Sequence, residues 1–265
     1  MAPEPRATET TTRFKYRLRF AKEGDLRLVS HHDLMHCCER LFRRGAIPIA
    51  FSQGFHPTPR MVFAQSLALG IVGSREVLEL ELTEHLAPED LLAALRQHAP
   101  PGLVFHSARQ IPANVKAQPR RAFYRVTLTS PVPDLPARCE ELLKQDHAWV
   151  ERLKPYARRV DIRPFLERVA VTGHRLEFTV WVTPNGSAKA DEILRLLDVD
   201  SVLDDGGVLE RCDLELADEV GPDAPSVPVI DSHSVTLPLD EKTAVPVPDD
   251  ARPTSLIEGP LNFDS

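Results

Sequence analysis

The apolar residues of this chain switch from alternate positions to helical spacing and back, in the same order in both halves. Phe14, Tyr16, Leu18 and Phe20 alternate with Lys15, Arg17 and Arg19, which predicts a half-buried strand with a cationic outer face. Ser30 and Asp33 form a capping box, and Leu34, Cys37, Cys38 and Leu41 make a helical stripe up to Arg44. Gly45 and Pro48 end that helix. A loop over 51–59, a strand over 61–69 and a second strand carrying Leu78, Leu80 and Leu82 follow. A helix over 88–98 starts with proline and two acids, which suits the positive end of its dipole. Leu103 to His106 is a fourth strand, so the order is βαββαβ.

The second half repeats that order. Strands are expected around Tyr124–Leu128, Trp149–Leu153, Leu176–Val182 and Val208–Leu216, with helices over 136–145 and 190–197, the latter capped by Ser187. Arg125 and Glu177 echo Arg17 and Glu79, and residues 155–166 read as an insertion. The expected class is therefore α+β, with two tandem ferredoxin-like βαββαβ modules over 13–112 and 120–217. Residues 1–12 read as a disordered leader, and 218–265 as a disordered, Pro-rich acidic tail.

The net charge of −7 divides unevenly. Residues 218–265 hold ten acids against Lys242 and Arg252, whereas residues 13–60 hold ten Lys/Arg against four acids. The folded part is locally basic. Cys37, Cys38, Cys139 and Cys212 include no Cys-x-x-Cys pair, so neither a zinc site nor a disulfide framework is readable. That usage fits a reducing cytoplasm. The polar first twelve residues predict no signal peptide, and no stretch reaches the roughly 20 apolar residues of a membrane span.

Four groups of residues carry candidate chemistry. Lys15, Arg17 and Arg19 could neutralise phosphates from an open sheet face, or could pair with Glu79 and Glu81 on the neighbouring strand. His32, His36, Arg40, Arg43 and Arg44 line one helix side, where a phosphate backbone could lie or where water alone could solvate them. His32 and His36 also have a metal-like i, i+4 spacing, but no third ligand is evident, and no metal or cofactor is expected. Ser30, His31 and Asp33 share one turn and make a poor triad, because Ser30 and Asp33 already cap the helix. In the loop, Gly54 permits unusual backbone angles and Pro57 and Pro59 stiffen the exit. Gln53, Gly54, His56 and Arg60 are thereby offered to a ligand, as stiff loops commonly do.

Phe20–Arg27, Ser30–Leu34, Glu39–Arg44 and Ser52–Arg60 (Ser-Gln-Gly-Phe-His-Pro-Thr-Pro-Arg) resemble blocks of the radical SAM-linked protein family. Gly70–Glu76, Val160–Leu166 and Asn185–Lys189 resemble its later blocks, so the likeness spans about 14–217. This is a domain-of-unknown-function family, found alone or fused behind a radical SAM domain. His31, Asp33, Gly54, Phe55, His56 and Pro57 fall on its pattern, whereas His32 stands where an apolar residue is usual. The resemblance implies a radical SAM enzyme as partner, one that acts on RNA. The three closely spaced cysteines of a radical SAM core are absent from this sequence.

Three functions follow as expectations. The first is a cytoplasmic, non-catalytic accessory protein that binds RNA through Arg40, Arg43, Arg44 and Arg60 and orients a nucleotide or the partner enzyme through His31 and His56. The second is a nucleotide- or RNA-directed enzyme with His31 and His56 as an acid–base pair. The third is a protein–protein scaffold.

Overall fold

The computed structural model describes residues 13–231 and 235–238. In chain order the first half holds β1 (Phe14–Lys22), α1 (His31–Arg44), β2 (Met61–Phe63), β3 (Val72–Leu82), α2 (Pro88–His98) and β4 (Leu103–Ile111). The second holds β5 (Pro119–Thr127), α3 (Leu135–Lys144), β6 (Trp149–Arg152), β7 (Arg158–Asp161), β8 (Leu166–Thr172) and β9 (Arg175–Trp181). It continues with α4 (Ala190–Leu196), α5 (Ser201–Asp204), β10 (Leu209–Leu216) and β11 (Thr236–Pro238).

The result is a mixed α/β fold on one eight-stranded mixed sheet. Its order is β4-β1-β3-β10-β5-β9-β8, with β2 also paired to β3. Each half therefore uses its strands in the same way, β4-β1-β3-β2 and β10-β5-β9-β8. The expected charge echo appears in the register, where Arg17 faces Glu79 and Arg125 faces Glu177. The halves join where β10 runs parallel to β3, with Glu210 beside Val72 and Arg211 beside Gly73.

Each half has its own core. Tyr16, Leu18 and Phe20 of β1 and Leu78, Leu80 and Leu82 of β3 pack on Leu34, Cys38, Leu41 and Phe42 of α1 and Leu91 and Leu95 of α2. Ala122, Tyr124, Val126, Leu176, Phe178 and Val180 pack on Leu135, Cys139 and Leu142 of α3 and Ile193 and Leu194 of α4. The period-two residues point inward as expected, and the helical stripes cover them. No helix among the described residues is long and apolar enough to cross a membrane.

Four expectations need correction. The strand expected over 61–69 ends at Phe63, because the Gln65 and Ser66 carbonyls turn to accept from the Arg211 guanidinium at 3.2 Å each. Trp149–Arg152 is not in the main sheet; it pairs with β7 in a small sheet, β11-β7-β6. The corresponding main-sheet strand is β8, which the sequence pattern did not reveal. Ser187 does not cap α4: its hydroxyl donates to the Trp181 carbonyl, and the Glu192 carboxylate instead accepts from the Lys189 amide at 2.9 Å.

The tail is the largest correction, since the chain does not leave the fold at Asp218. Ala217–Glu219 forms a 3-10 turn. Asp218 accepts from Arg17 at 2.8 Å, and Glu219 pairs with Arg17, Arg19 and Arg109. Ile230 and Val235 are buried in the second core, Asn185 donates to the Ile230 carbonyl at 2.6 Å, and β11 extends β7. These two apolar side chains and two acids outweigh the local proline content. The expectations for residues 1–12, 232–234 and 239–265 lie outside the described residues.

A buried ion pair sits at the seam. Arg211 is 1 % exposed and donates through Nε to Glu76 Oε1 at 2.8 Å. A Cβ added to Gly73 would lie 2.6 Å from the Glu76 Cγ, so glycine makes room for that carboxylate. Gly73→Ala should cost more than about 2 kcal/mol in urea unfolding, by displacing one partner of a desolvated pair.

Acid should weaken the strap at Glu219. Its burial alone would raise the carboxyl pKa, but Arg19, Arg17 and Arg109 outweigh this and hold it below the usual range. A depressed folded value contributes stability above the unfolded pKa, and that contribution is lost as pH falls through the folded one. The contribution of Glu219 to unfolding free energy should therefore be level above about pH 5 and fall below it. Glu219→Gln should make that fall shallower in pH-dependent urea titrations.

Candidate nucleic-acid interface

Helix α1 is fixed at both ends. The Ser30 hydroxyl accepts from the Asp33 amide at 3.1 Å, and the Gly45 amide donates to the Leu41 carbonyl at 2.9 Å. Burial of Leu34, Cys38, Leu41 and Phe42 fixes the helix rotation. The opposite face then presents His32, His36, Arg40, Arg43 and Arg44 to solvent. His36 pairs with Glu39 at 3.2 Å, and Arg44 donates to the His98 carbonyl at 2.9 Å. Arg40 and Arg43 have neither an ion pair nor a hydrogen-bond partner for their side chains among the described residues.

The loop after α1 is tied at its base and free at its tip. Ala50 donates to the Glu81 carbonyl and Arg60 to the Ala50 carbonyl, at 2.8 and 2.7 Å. Ser52 and Thr58 then close a narrow neck, with Ser52 N donating to Thr58 O at 2.8 Å and Thr58 N to Ser52 Oγ at 2.9 Å. Beyond the neck, Gln53, Gly54, Phe55, His56 and Pro57 are all exposed, and the Phe55 ring is fully so. Gly54 takes a φ of 133°, which a side chain would resist.

A groove lies on each side of this loop. One, of about 330 Å³, is lined by Glu39, Phe42, Arg43, Ile47, Phe51 and Pro59. The other, of about 570 Å³, is lined by Ser52, Thr58, Arg60, Lys15, Lys116 and Val62, with Glu79 and Glu81 on its floor. Arg60 is held loosely to Glu81 at 3.4 Å. The structure thus gathers Arg43, Arg60, Gln53, Gly54 and His56 around one projecting loop, with Arg40 and Arg44 along the adjoining helix.

Other expected site residues lie elsewhere. Lys15, Arg17 and Arg19 are engaged within the fold rather than offered to phosphates. Lys15 meets Glu79 at 2.8 Å, Arg17 is 1 % exposed between Glu79 and Asp218, and Arg19 pairs with Asp213 and Glu219. Of the two readings of that strand, pairing with Glu79 across the sheet is the one the structure contains. His31 packs edge-on against Phe63, with ring centroids 5.1 Å apart. It lines a cavity of only about 10 Å³ with Lys22, Gln65 and Glu76, and His56 is not part of that lining. A space of that size holds at most about one water. No cluster of three or more potential metal ligands occurs among the described residues.

Sequence reasoning missed the Lys22, Glu76 and Arg211 group. Burial lowers the Lys22 pKa, against the pull of Glu76, and its ammonium donates to the Val29 carbonyl at 2.6 Å. The one available signal was a lysine on the inward-facing side of a strand.

The model of a family described as "Uncharacterized protein conserved in bacteria (DUF2344)" matches residues 15–193. The chain belongs to this family. The DUF2344 match takes in α1, the projecting loop and most of both halves, and its description gives neither an activity nor a partner. No curated protein matches the chain. A solved structure, "Crystal Structure of an Unknown Protein from Galdieria sulphuraria", is 13% identical and covers 78% of this chain and 99% of its own. Its TM-score of 0.24 is too low to bear on fold or function.

Exposure at the loop tip makes a clear stability prediction. Phe55→Ala should change the urea-unfolding free energy by less than about 0.5 kcal/mol, as for other surface changes. Phe42→Ala, which empties a core position next to the same loop, should cost about 3–5 kcal/mol.

Proposed function

We propose that this DUF2344 protein is a non-catalytic, RNA-binding accessory factor built from two tandem ferredoxin-like modules. The repeated strand order, β4-β1-β3-β2 and β10-β5-β9-β8, supports the modular part of that reading. The observation that carries the functional part is the pairing of unmatched cations with an exposed aromatic tip. Arg40 and Arg43 have no partner among the described residues, whereas the sheet arginines Arg17, Arg121 and Arg125 are all paired with acids. Two free guanidiniums on α1 and a fully exposed Phe55 on the loop that follows it suit a polyanion with stackable bases.

In this reading Arg40, Arg43 and Arg44 hold phosphates along α1, and Arg60 holds one in the larger groove. Phe55 stacks on an unpaired base, and Gln53 and His56 donate to base edges or phosphate. His31 supports the helix start instead of acting on the ligand. His31 lines a small cavity with Lys22, Gln65 and Glu76, whereas His56 stands on the exposed loop, which favours the binding reading over the acid–base one. The likeness of Ser52–Arg60 and the other blocks to radical SAM-linked proteins favours a cytoplasmic radical SAM enzyme as the partner.

The test is salt-dependent binding of a single-stranded RNA by the full chain. Affinity should fall steeply with salt. Replacing both Arg40 and Arg43 with Ala should flatten the log–log slope by about 1.4, or about 0.7 for each phosphate no longer neutralised. Phe55→Ala should weaken binding about tenfold with the slope unchanged. Salt-independent or undetectable binding would sink the proposal. Retention of a radical SAM enzyme on the tagged protein in its native host, with or without ribonuclease, then separates an RNA bridge from a protein–protein scaffold.

A further inference from the structure

The second half carries an insertion where the first half carries its projecting loop. That loop follows α1 and precedes β2; the β6–β7 hairpin follows α3 and precedes β8. The two insertions thus occupy corresponding places in two halves with the same strand order.

The hairpin has one face committed to the fold. Val160 is buried, and Arg152 grips Glu192 through Nε at 2.7 Å and Nη2 at 2.8 Å. Its outer face and turn are built differently. The Arg159 guanidinium lies 5.4 Å from the Trp149 ring centroid, and the His147 ring is 5.7 Å from the same tryptophan. At the turn, Arg158 lies 4.8 Å from the Tyr156 ring centroid and donates to the Lys154 and Tyr156 carbonyls at 3.0 and 3.1 Å. Tyr156 is 64% exposed.

Charge pairing separates this surface from β5, although Arg168 of β8 and Arg175 of β9 likewise have no carboxylate partner among the described residues. Arg121 is matched by Glu215 and Glu167, and Arg125 by Glu210. Among the described residues, Lys154, Arg158 and Arg159 have no carboxylate partner. Glu151 stands opposite Arg159 in the register without forming an ion pair. A hairpin needed only to brace the fold would gain nothing from three unmatched cations and an exposed tyrosine.

We propose that the outer face and turn of the β6–β7 hairpin are a second contact for single-stranded RNA, so that both halves grip one strand. This rests on the RNA reading of the α1 surface. Tyr156 offers a stacking face that tolerates any base, Lys154 and Arg159 offer charge to the backbone, and the rings under Arg158 and Arg159 hold those guanidiniums in place.

The probes are oligouridines of about 8 and about 24 nucleotides, chosen around the usual length of a single site. The wild type should bind the long probe more tightly than the short one by at least about tenfold. The double variant Tyr156→Ala/Arg159→Ala should lose about tenfold on the long probe, and Lys154→Glu, confined to the exposed turn, should lose affinity in the same direction. In a Trp181→Phe background, the long probe should quench the fluorescence of the remaining Trp149. If both hairpin variants bind the long probe as the wild type does, while Arg40→Ala/Arg43→Ala binds it weakly, the second contact is overturned and the α1 reading stands. If the wild type binds neither probe, both fall.

Discussion

The architecture depends on the Arg211–Glu76 pair at the seam between the halves. The main sheet is continuous there through only two parallel register pairs, Val72 with Glu210 and Gly73 with Arg211. A parallel junction this short contributes few ladder hydrogen bonds. The guanidinium makes up the difference by spanning three segments at once: it holds Glu76 of β3 and the carbonyls of Gln65 and Ser66, while itself belonging to β10. Its pKa is raised despite burial, because the Glu76 charge and hydrogen bonds outweigh the missing hydration. Replacing such a pair by well-packed apolar groups could be neutral, but losing one partner strands a buried charge. The pair therefore fixes which strand edge the second half joins.

The same electrostatic logic runs across the sheet face away from the helices. Its cations would repel one another if left bare, and Lys15, Arg17, Arg19 and Arg109 are each answered by an acid. Glu79 serves both Lys15 and Arg17, and Glu219 serves Arg17, Arg19 and Arg109. Asp218 and Glu219 come from the start of the acidic segment, so the first residues of that segment belong to this network. Asp218 and Glu219 thereby bring acids from the end of β10 onto the cations of β1 and β4.

How much of this was readable in sequence depended on how local its cause was. The bounds of α1 follow from Ser30, Asp33 and Gly45, all of which act within one turn of the helix ends. The register of Arg17 with Glu79 could be foreseen because strict alternation leaves only two faces to choose from. By contrast, β8 pairs with β9 over residues such as Val169 and Val171, and nothing in Leu166–Thr172 marks its ends. The fate of Asp218 was set by Arg17, 201 residues away. Arg211 and Glu76 are 135 residues apart, and no pattern in either strand announces the other. The candidate interface was legible as a cluster of residue types, but its sorting into free and engaged cations was not. Arg40 and Arg17 look alike in sequence and differ only in what the fold brings against them.

That sorting bears on where a polyanion could attach. The described residues carry 29 Lys/Arg against 31 Asp/Glu, so the fold as a whole does not attract nucleic acid and any attraction must be local. Pairing consumes Lys15, Arg17 and Arg19 of β1 and Arg121 and Arg125 of β5, and leaves unmatched cations on α1 and on the β6–β7 hairpin. Those elements lie outside the sheet, where adding a side chain does not disturb strand register. A scaffold whose own charges are mutually satisfied can thus vary its binding surface without altering its stability, because the residues that hold the sheet and those that face solvent are different sets.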